Sequence, residues 1–441
     1  MNRTHFSYNL ILLFILVVSI LPQGQAQKDN PRITYLHCGG WIQVEEGIYD
    51  TAKTIIIHDD RISQIAEGYL PVPDSAESID LREFTVMPGL FDLHVHIEKE
   101  YSKNYYLERF TLNPADRAYR SVGYAQKTLK AGFTTVRDLG GTGVNISLRD
   151  AINEGAVVGP RIFTAGRSIA TTGGHADPTN GFKEELMGDP GPLLGVVNGP
   201  LECRKAVRQR YKNGVNVIKI TATGGVLSVA ASGLNPQFTD DELEAIVSTA
   251  NDYGLLTAAH AHGDEGMQRA VRAGIHTIEH GTFMSDSTMQ LMKEMGTYYV
   301  PTLSAGQAVA EYAEIPGYYP DVVVPKAKSV GPEIQSTFER AHAAGVNIAF
   351  GTDAGVFPHG QNAREFSLMV QAGMSPAESI QSATIVAARL LGVDNELGSL
   401  SAGKVADIIA VPGNPLQDIH LMEKVNFVMK EGEVYFSTEK E

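Results

Sequence analysis

Two short motifs in this chain set paired imidazoles two residues apart: His94-Val95-His96 and His260-Ala261-His262, each closing an apolar run. If those runs are strands, alternation sends residues i and i+2 to the same side. Both rings of a pair then point together, as two ligands of one metal must. His280 closes a third run and Thr352-Asp353 a fourth. Imidazole and carboxylate are the ligand set of zinc and similar divalent ions. A lone His at a strand end is ordinarily a satisfied polar residue. Four such sites on separate runs are poorly explained by accident and predict a metal centre. His5, His37, His58, His342, His359 and His420 lack this placement and read as surface or packing residues, as does His276, which begins its run.

Lys219 lies in Val215-Asn216-Val217-Ile218-Lys219-Ile220, where alternation puts Val215, Val217 and Lys219 on one side. A buried ammonium is costly without a partner. A desolvated Lys can lose its proton, act as a nucleophile and take up carbon dioxide as a carbamate, an anionic ligand with two oxygens. A snorkelling or salt-bridged Lys explains the same pattern, and spacing alone leaves the two readings open.

These residues need a scaffold that brings strand ends to one rim. From about residue 87 to 394, runs of four to seven apolar residues alternate with helical stretches. The strand-like runs are GLFDLHV, FTTVRDL, RIFTAG, VNVIKI, LLTAAHA, IHTIEH, TYYVPTL and NIAFGT. Between them, stretches such as DRAYRSVGYAQKTLKA and TDDELEAIVSTANDY repeat apolar residues at three- and four-residue steps. The second opens on Thr239 with Glu242 three residues on, a capping box. Eight strands alternating with helices over this length predict an α/β fold, a (β/α)8 TIM barrel, whose functional groups gather where strands meet their following loops. Gly140-Gly141-Thr142-Gly143 follows a strand but lacks the spacing of a dinucleotide fingerprint and reads as an ordinary loop.

The flanks differ. RITYLHCGGWIQ and TIIIHDDRISQIAE, with a hairpin turn at His58-Asp59-Asp60-Arg61, are β-like, and so are KVADIIAVPG and KVNFVMKEGEVYFS at the far end. The simplest arrangement pairs them in a small β-sandwich built from both chain ends, residues 27–86 and 395–441, around a barrel at 87–394. Residues 1–26 combine Arg3, an apolar run from Leu10 to Leu21 and Gly24-Gln25-Ala26, the layout of a secretory signal peptide. The run is shorter than the ~20 residues of a membrane span. The expected mature protein is periplasmic or secreted, without stable membrane insertion, in a compartment where Cys38 and Cys203 could pair. The whole chain carries 36 Lys+Arg against 51 Asp+Glu, a net charge of −15, so it has no basic surplus for nucleic acid. Its 2 Cys exclude a disulfide framework and a Cys-rich zinc site.

Val86-Met87-Pro88-Gly89-Leu90-Phe91-Asp92-Leu93-His94-Val95-His96 and Gly398-Ser399-Leu400-Ser401-Ala402-Gly403-Lys404-Val405-Ala406-Asp407-Ile408-Ile409 resemble the two end signatures of the amidohydrolase superfamily. Thr172-Gly173-Gly174-His175, Lys219 to Val226, His260-Ala261-His262-Gly263 and Ile278-Glu279-His280-Gly281 are similar to its branch of metal-dependent Xaa-Pro dipeptidases and carboxypeptidases, which includes ochratoxin-hydrolysing amidases. The resemblance covers essentially the whole mature chain. It implies two divalent metal ions, usually Zn2+, with His94, His96 and Asp353 on one, His260 and His280 on the other, and a carbamate on Lys219 bridging them. It assigns His260 rather than His262 as ligand, leaves His262 and His175 to contact a small-molecule or dipeptide substrate, and gives Asp353 the catalytic proton transfers. The implied reaction is cleavage of the amide before a C-terminal amino acid by a metal-activated hydroxide. Opening of a lactone, imidazolone or other cyclic amide, and a non-catalytic barrel relative, are the rival readings. Homo-oligomers in multiples of two are common among such proteins. The 303–330 stretch, with Tyr312, Tyr318 and Tyr319, reads as a lid or an exposed aromatic loop at a subunit contact.

Overall fold

The computed structural model describes residues 31–229 and 233–438; the leader expected at residues 1–26 lies outside them. Four strands open the chain: β1 (Ile33–Gln43), β2 (Ile48–His58), β3 (Arg61–Glu67) and β4 (Glu77–Pro88). Then come β5 (Leu90–Val95), β6 (Phe133–Asp138), β7 (Arg161–Thr164), β8 (Val217–Thr221), β9 (Leu256–Ala261), β10 (Thr277–His280) and β11 (Tyr298–Val300). Three strands close it: β12 (Ile408–Pro412), β13 (Phe427–Lys430) and β14 (Glu433–Ser437).

The first four and last three strands form one seven-stranded sheet, in the order β14-β13-β12-β4-β1-β2-β3. The β2–β3 connection is the two-residue turn Asp59-Asp60, and Asp59 adopts φ 54°, as the tight hairpin turns require. The β-branched run Ile55-Ile56-Ile57 is buried, and Ile55 and Ile57 pack with Leu36, Leu81, Ile408 and Phe427. The sheet curls until β3 meets the approach to β12: Ile62 N–H donates to the Lys404 carbonyl and Gly403 N–H to that of Ile62. The sandwich is thus one continuous sheet wrapped around its own apolar face, as strand twist allows.

The barrel strands are parallel. Pairing runs β5–β6–β7 and β8–β9–β10–β11, and backbone hydrogen bonds join the two sets. Beyond β7, Ile169 N–H donates to the Lys219 carbonyl and Thr221 N–H to that of Ile169, which joins β8. The eighth expected strand, Asn347–Thr352, is not a regular strand. It is held by single bridges at Tyr299–Ile348 and Val95–Ala354, with Tyr299 N–H to the Asn347 carbonyl and Asp353 N–H to that of His94. Asp353 sits at φ 59°, outside any strand conformation, so the segment cannot run on as a strand past Thr352. The ring of backbone hydrogen bonds nevertheless returns to β5.

Helices fill the outer layer where the apolar spacing places them. The helix Pro114–Lys130 starts with proline in its first turn and an Asn113–Asp116 capping box, and the helix Asp240–Asp252 carries the Thr239–Glu242 box, with Thr239 N–H to Glu242 Oε2 at 2.9 Å. The 303–330 stretch departs from its reading as an exposed loop. It begins with the helix Leu303–Ala313, whose Leu303, Ala305, Ala308 and Val309 are buried, and Tyr319 is buried too. Cys38 lies in the sheet core and Cys203 in the barrel core; both are buried free thiols. No helix among the described residues is long and apolar enough to cross a membrane.

Candidate metal centre

Each side chain of interest sits at the end of a barrel strand or just beyond it. His94 is in β5 with His96 past its end; Lys219 is central in β8; His260 is in β9 with His262 just after; His280 ends β10; and Asp353 follows the bridged eighth segment. All of them, with His175, line one cavity of about 540 Å³. The paired imidazoles do share a side: ring centres are 5.5 Å apart for His94 and His96 and 4.7 Å for His260 and His262. His280 lies between the pairs, 4.9 Å from His94 and 4.7 Å from His260.

Hydrogen bonds fix which ring nitrogens remain free. His96 Nδ1–H donates to the Gly140 carbonyl at 2.6 Å, His94 Nδ1–H to Glu279 Oε2 at 2.9 Å, and His260 Nε2–H to the Gly224 carbonyl at 3.1 Å. The lone pairs left over belong to His94 Nε2, His96 Nε2 and His260 Nδ1. His280 and His262 anchor their Nδ1 atoms on Thr302 Oγ1 and Thr282 Oγ1, at 2.8 and 2.7 Å.

Asp353 Oδ1 lies 3.2 Å from His96 Nε2 and 3.6 Å from His94 Nε2, and it is buried without a hydrogen-bond donor. Three acceptor atoms facing one another repel unless a cation lies among them. His94, His96 and Asp353 therefore fit a divalent ion by geometry and by donor type. Burial, reinforced by Lys219 and by crowding of one imidazole on another, keeps the rings neutral. His94 and His262 are pushed down to about 4, His175 to about 3, and His260 and His280 well below the ordinary value. Burial works to raise the Asp353 carboxyl, while protonation of His94 or His96 and the charge of Lys99 pull it down. His94, His175, His260, His262 and His280 are thus poised as neutral imidazoles in the cavity that holds Asp353.

Lys219 is buried, and desolvation lowers its ammonium to about 8 against the opposing pull of Glu279 and Asp353. It faces the cavity, and among the described residues no carboxylate forms a salt bridge with it. The salt-bridged reading of Lys219 is therefore not what the structure contains. His175 stacks on His260 at 4.3 Å with its Nδ1 buried and unpartnered. Gly225 makes room for that ring, because a Cβ there would sit 2.1 Å from it.

Sequence reasoning missed the groups that hold these residues. Glu279 and Arg137 form a buried pair, Arg137 Nη2–H to Glu279 Oε1 at 2.9 Å, and Arg137 Nε–H also donates to the Leu93 carbonyl at 2.6 Å. Asp92 accepts from His94 N–H and Thr352 N–H, both at 3.1 Å, which ties β5 to the segment carrying Asp353. The Gly140 loop, read as ordinary, supplies the carbonyl that sets the His96 tautomer. Charges inside apolar barrel runs were the available signal for Arg137, Glu279 and Asp92. Among non-glycine residues, His280, Thr302 and Asp353 all take positive φ, at 69°, 56° and 59°, so backbone strain concentrates at this rim. His276 and His359 are held by structural hydrogen bonds, His276 Nδ1 with Thr257 Oγ1 at 2.8 Å and His359 Nε2–H to the Lys99 carbonyl at 3.0 Å.

A model of the amidohydrolase family matches residues 85–435. The ochratoxinase of Aspergillus niger is 31% identical over 436 residues, 93% of this chain and 88% of its own length. A solved Xaa-Pro dipeptidase with methionine bound in its active site is 52% identical with a TM-score of 0.90, over 92% of this chain and 100% of that one. A prolidase solved with N-methylphosphonate-L-proline is 33% identical with a TM-score of 0.83, over 92% of this chain and 100% of the other.

Proposed function

Because this chain belongs to the amidohydrolase family and is a hydrolase acting on amide bonds, we propose that it cleaves the amide before a C-terminal amino acid in dipeptides or N-acyl amino acids, using two divalent metal ions. The observation that carries the reading is the convergence of imidazole nitrogens on the buried Asp353 Oδ1, with Lys219, which has no salt-bridge partner among the described residues, in the same cavity. In this reading His94, His96 and Asp353 hold one ion and His260 and His280 the other. The Lys219 amine adds carbon dioxide and releases a proton, and the resulting carbamate supplies the remaining anionic oxygens. Zinc suits this donor set. Such ions, when bound, make water nucleophilic at neutral pH and polarise a carbonyl.

The chain's own residues do the rest. The Asp353 carboxylate accepts the proton of the attacking water and returns it to the amide nitrogen as the bond breaks, because an amide leaves badly unless protonated. His262, anchored through Nδ1 on Thr282, presents its other nitrogen to the carbonyl oxygen as negative charge develops. His175 and the Thr223-Gly224-Gly225 backbone form part of the wall for the C-terminal side of the substrate. We further propose that residues 1–26 act as a cleaved leader and that the activity is periplasmic or secreted; N-terminal sequencing of the mature protein should find a start after Ala26.

The test is a screen of dipeptides and N-acyl amino acids, ochratoxin A included, with metal content measured on the same preparation. Release of a free amino acid with about two ions per chain is expected. Lactone opening without amide cleavage, or protein that binds no zinc, manganese or cobalt, would reject the reading.

A further inference from the structure

The metal-centre residues leave unexplained a set of cations on the cavity wall formed beyond β5, β6 and β7. Lys99 follows β5, Arg117 lies in the helix Pro114–Lys130 and Arg167 follows β7; all three line the cavity. Among the described residues, none of the three forms a salt bridge or donates a side-chain hydrogen bond. Lys99 Nζ lies over the rings of Tyr101 and Tyr105, at 5.1 and 5.6 Å. A fourth cation, Arg109, is spent on the carbonyls of Pro178 and Asn180.

The acids nearby do not balance them. Both oxygens of Glu98 are committed, Oε2 to Thr142 N–H and hydroxyl at 2.8 and 2.7 Å and Oε1 to Asn145 N–H at 2.7 Å. Asp177 accepts from Gly173 N–H and from Thr179 within its own loop. Glu100 and Glu108 share an adjoining recess with Lys99 and Arg117 but pair with Lys127 and Arg120, and Asp353 belongs to the histidine cluster, so among the described residues no acid forms an ion pair with Lys99, Arg117 or Arg167. Tyr105 registers the same field. Burial alone would raise its phenol, yet Lys99, Tyr101, Arg109 and Arg117 hold it below the ordinary value. A local reversal of sign on a protein of net charge −15 focuses anions into the cleft.

We propose that this wall is a subsite for a second carboxylate, so that the preferred substrates carry an acidic side chain beside the scissile amide. The inference rests on the amide-hydrolase reading and narrows it. A free α-carboxylate answers one of these unpaired cations, and a glutamyl or aspartyl side chain answers another. A neutral side chain leaves a guanidinium desolvated and unpaired, which discriminates against it.

Matched pairs test this on the metal-loaded protein: Ala-Glu against Ala-Gln, and Glu-Ala against Gln-Ala. In at least one pair kcat/KM for the acid should exceed that for its amide isostere by roughly tenfold or more. The ratio should shrink as salt rises from about 0.05 to 0.5 M. Arg167→Gln and Arg117→Gln should each pull it toward one. A binding arm that needs no turnover compares glutarate with glutaramate by calorimetry, and glutarate should bind more tightly. Amide isosteres hydrolysed as fast as the acids in both pairs would overturn the proposal, as would glutarate binding no better than glutaramate. If no dipeptide is cleaved, the amide-hydrolase reading fails and the calorimetric comparison alone decides whether the wall takes a dicarboxylate.

Discussion

Glu279 Oε2 on β10 accepts the Nδ1–H of His94 on β5 at 2.9 Å, and both side chains are almost wholly shielded from water. The carboxylate thereby dictates which face of His94 a cation meets, while its other oxygen holds Arg137. Such a partner orients a ligand and raises its basicity. Glu279→Gln should keep an acceptor near His94 but lose the charge, weakening metal binding about 10–100-fold in a chelator competition. Glu279→Ala also strands the buried Arg137 guanidinium, at about 3–5 kcal/mol. Adding Arg137→Met should recover part of that loss in denaturant unfolding. No recovery would mean that the pair is not the source of the cost.

Asp353→Asn should keep the fold and most bound metal while kcat falls about 10²–10⁴-fold. Near-normal turnover would remove Asp353 from the proton transfers.

Lys219→Ala should lose metal and activity together. Partial recovery on adding acetate or propionate would support an anionic group at this position. Metal loss with no recovery at any carboxylate concentration would argue against the carbamate.

Gly225→Ala puts a methyl group 2.1 Å from the His175 ring and must displace it. If His175 contacts substrate, KM should rise about tenfold or more with metal content intact, since misplacement of a positioning group by about 1 Å can cost 10²-fold. An unaltered KM would return His175 to a packing role.

Glu365 gives a pH test away from the metal ligands. Its two oxygens accept the Leu303 and Ser304 N–H groups at 2.7 Å each, at the start of the helix Leu303–Ala313, yet burial outweighs these bonds and raises the carboxyl to about 7. The folded state therefore holds a proton that the unfolded chain releases near 4.5, so this contribution to stability is lost as pH rises from about 4.5 to 7. Relative to Glu365→Gln, the wild type should lose about 3 kcal/mol across that window. Thermal unfolding of both proteins at pH 5 and pH 8 measures the difference, and parallel curves would contradict it.

The strand order, the paired-histidine geometry and the inward Lys219 were legible because alternation and apolar runs are local properties. Glu279 and Arg137 stand 142 positions apart in the sequence, so neither residue advertises its partner. Thr302 and the Gly140 carbonyl were equally hidden, one a generic hydroxyl and the other a backbone atom whose role depends on where His280 and His96 arrive. The eighth barrel segment read as a strand from its apolar run, while the positive φ of Asp353 is a tertiary effect that no propensity encodes.

The sheet built from both chain ends has a consequence for biogenesis. β4 pairs with β1 on one side but must wait for β12 on the other, roughly three hundred residues downstream. Until the last strands emerge, the Phe84–Pro88 border stays open, a sticky ribbon offered to any neighbouring nascent chain. Yield in a heterologous host should then depend less on the barrel than on how quickly the ribosome delivers the final forty or so residues, and truncation there should harm solubility before it touches the chemistry.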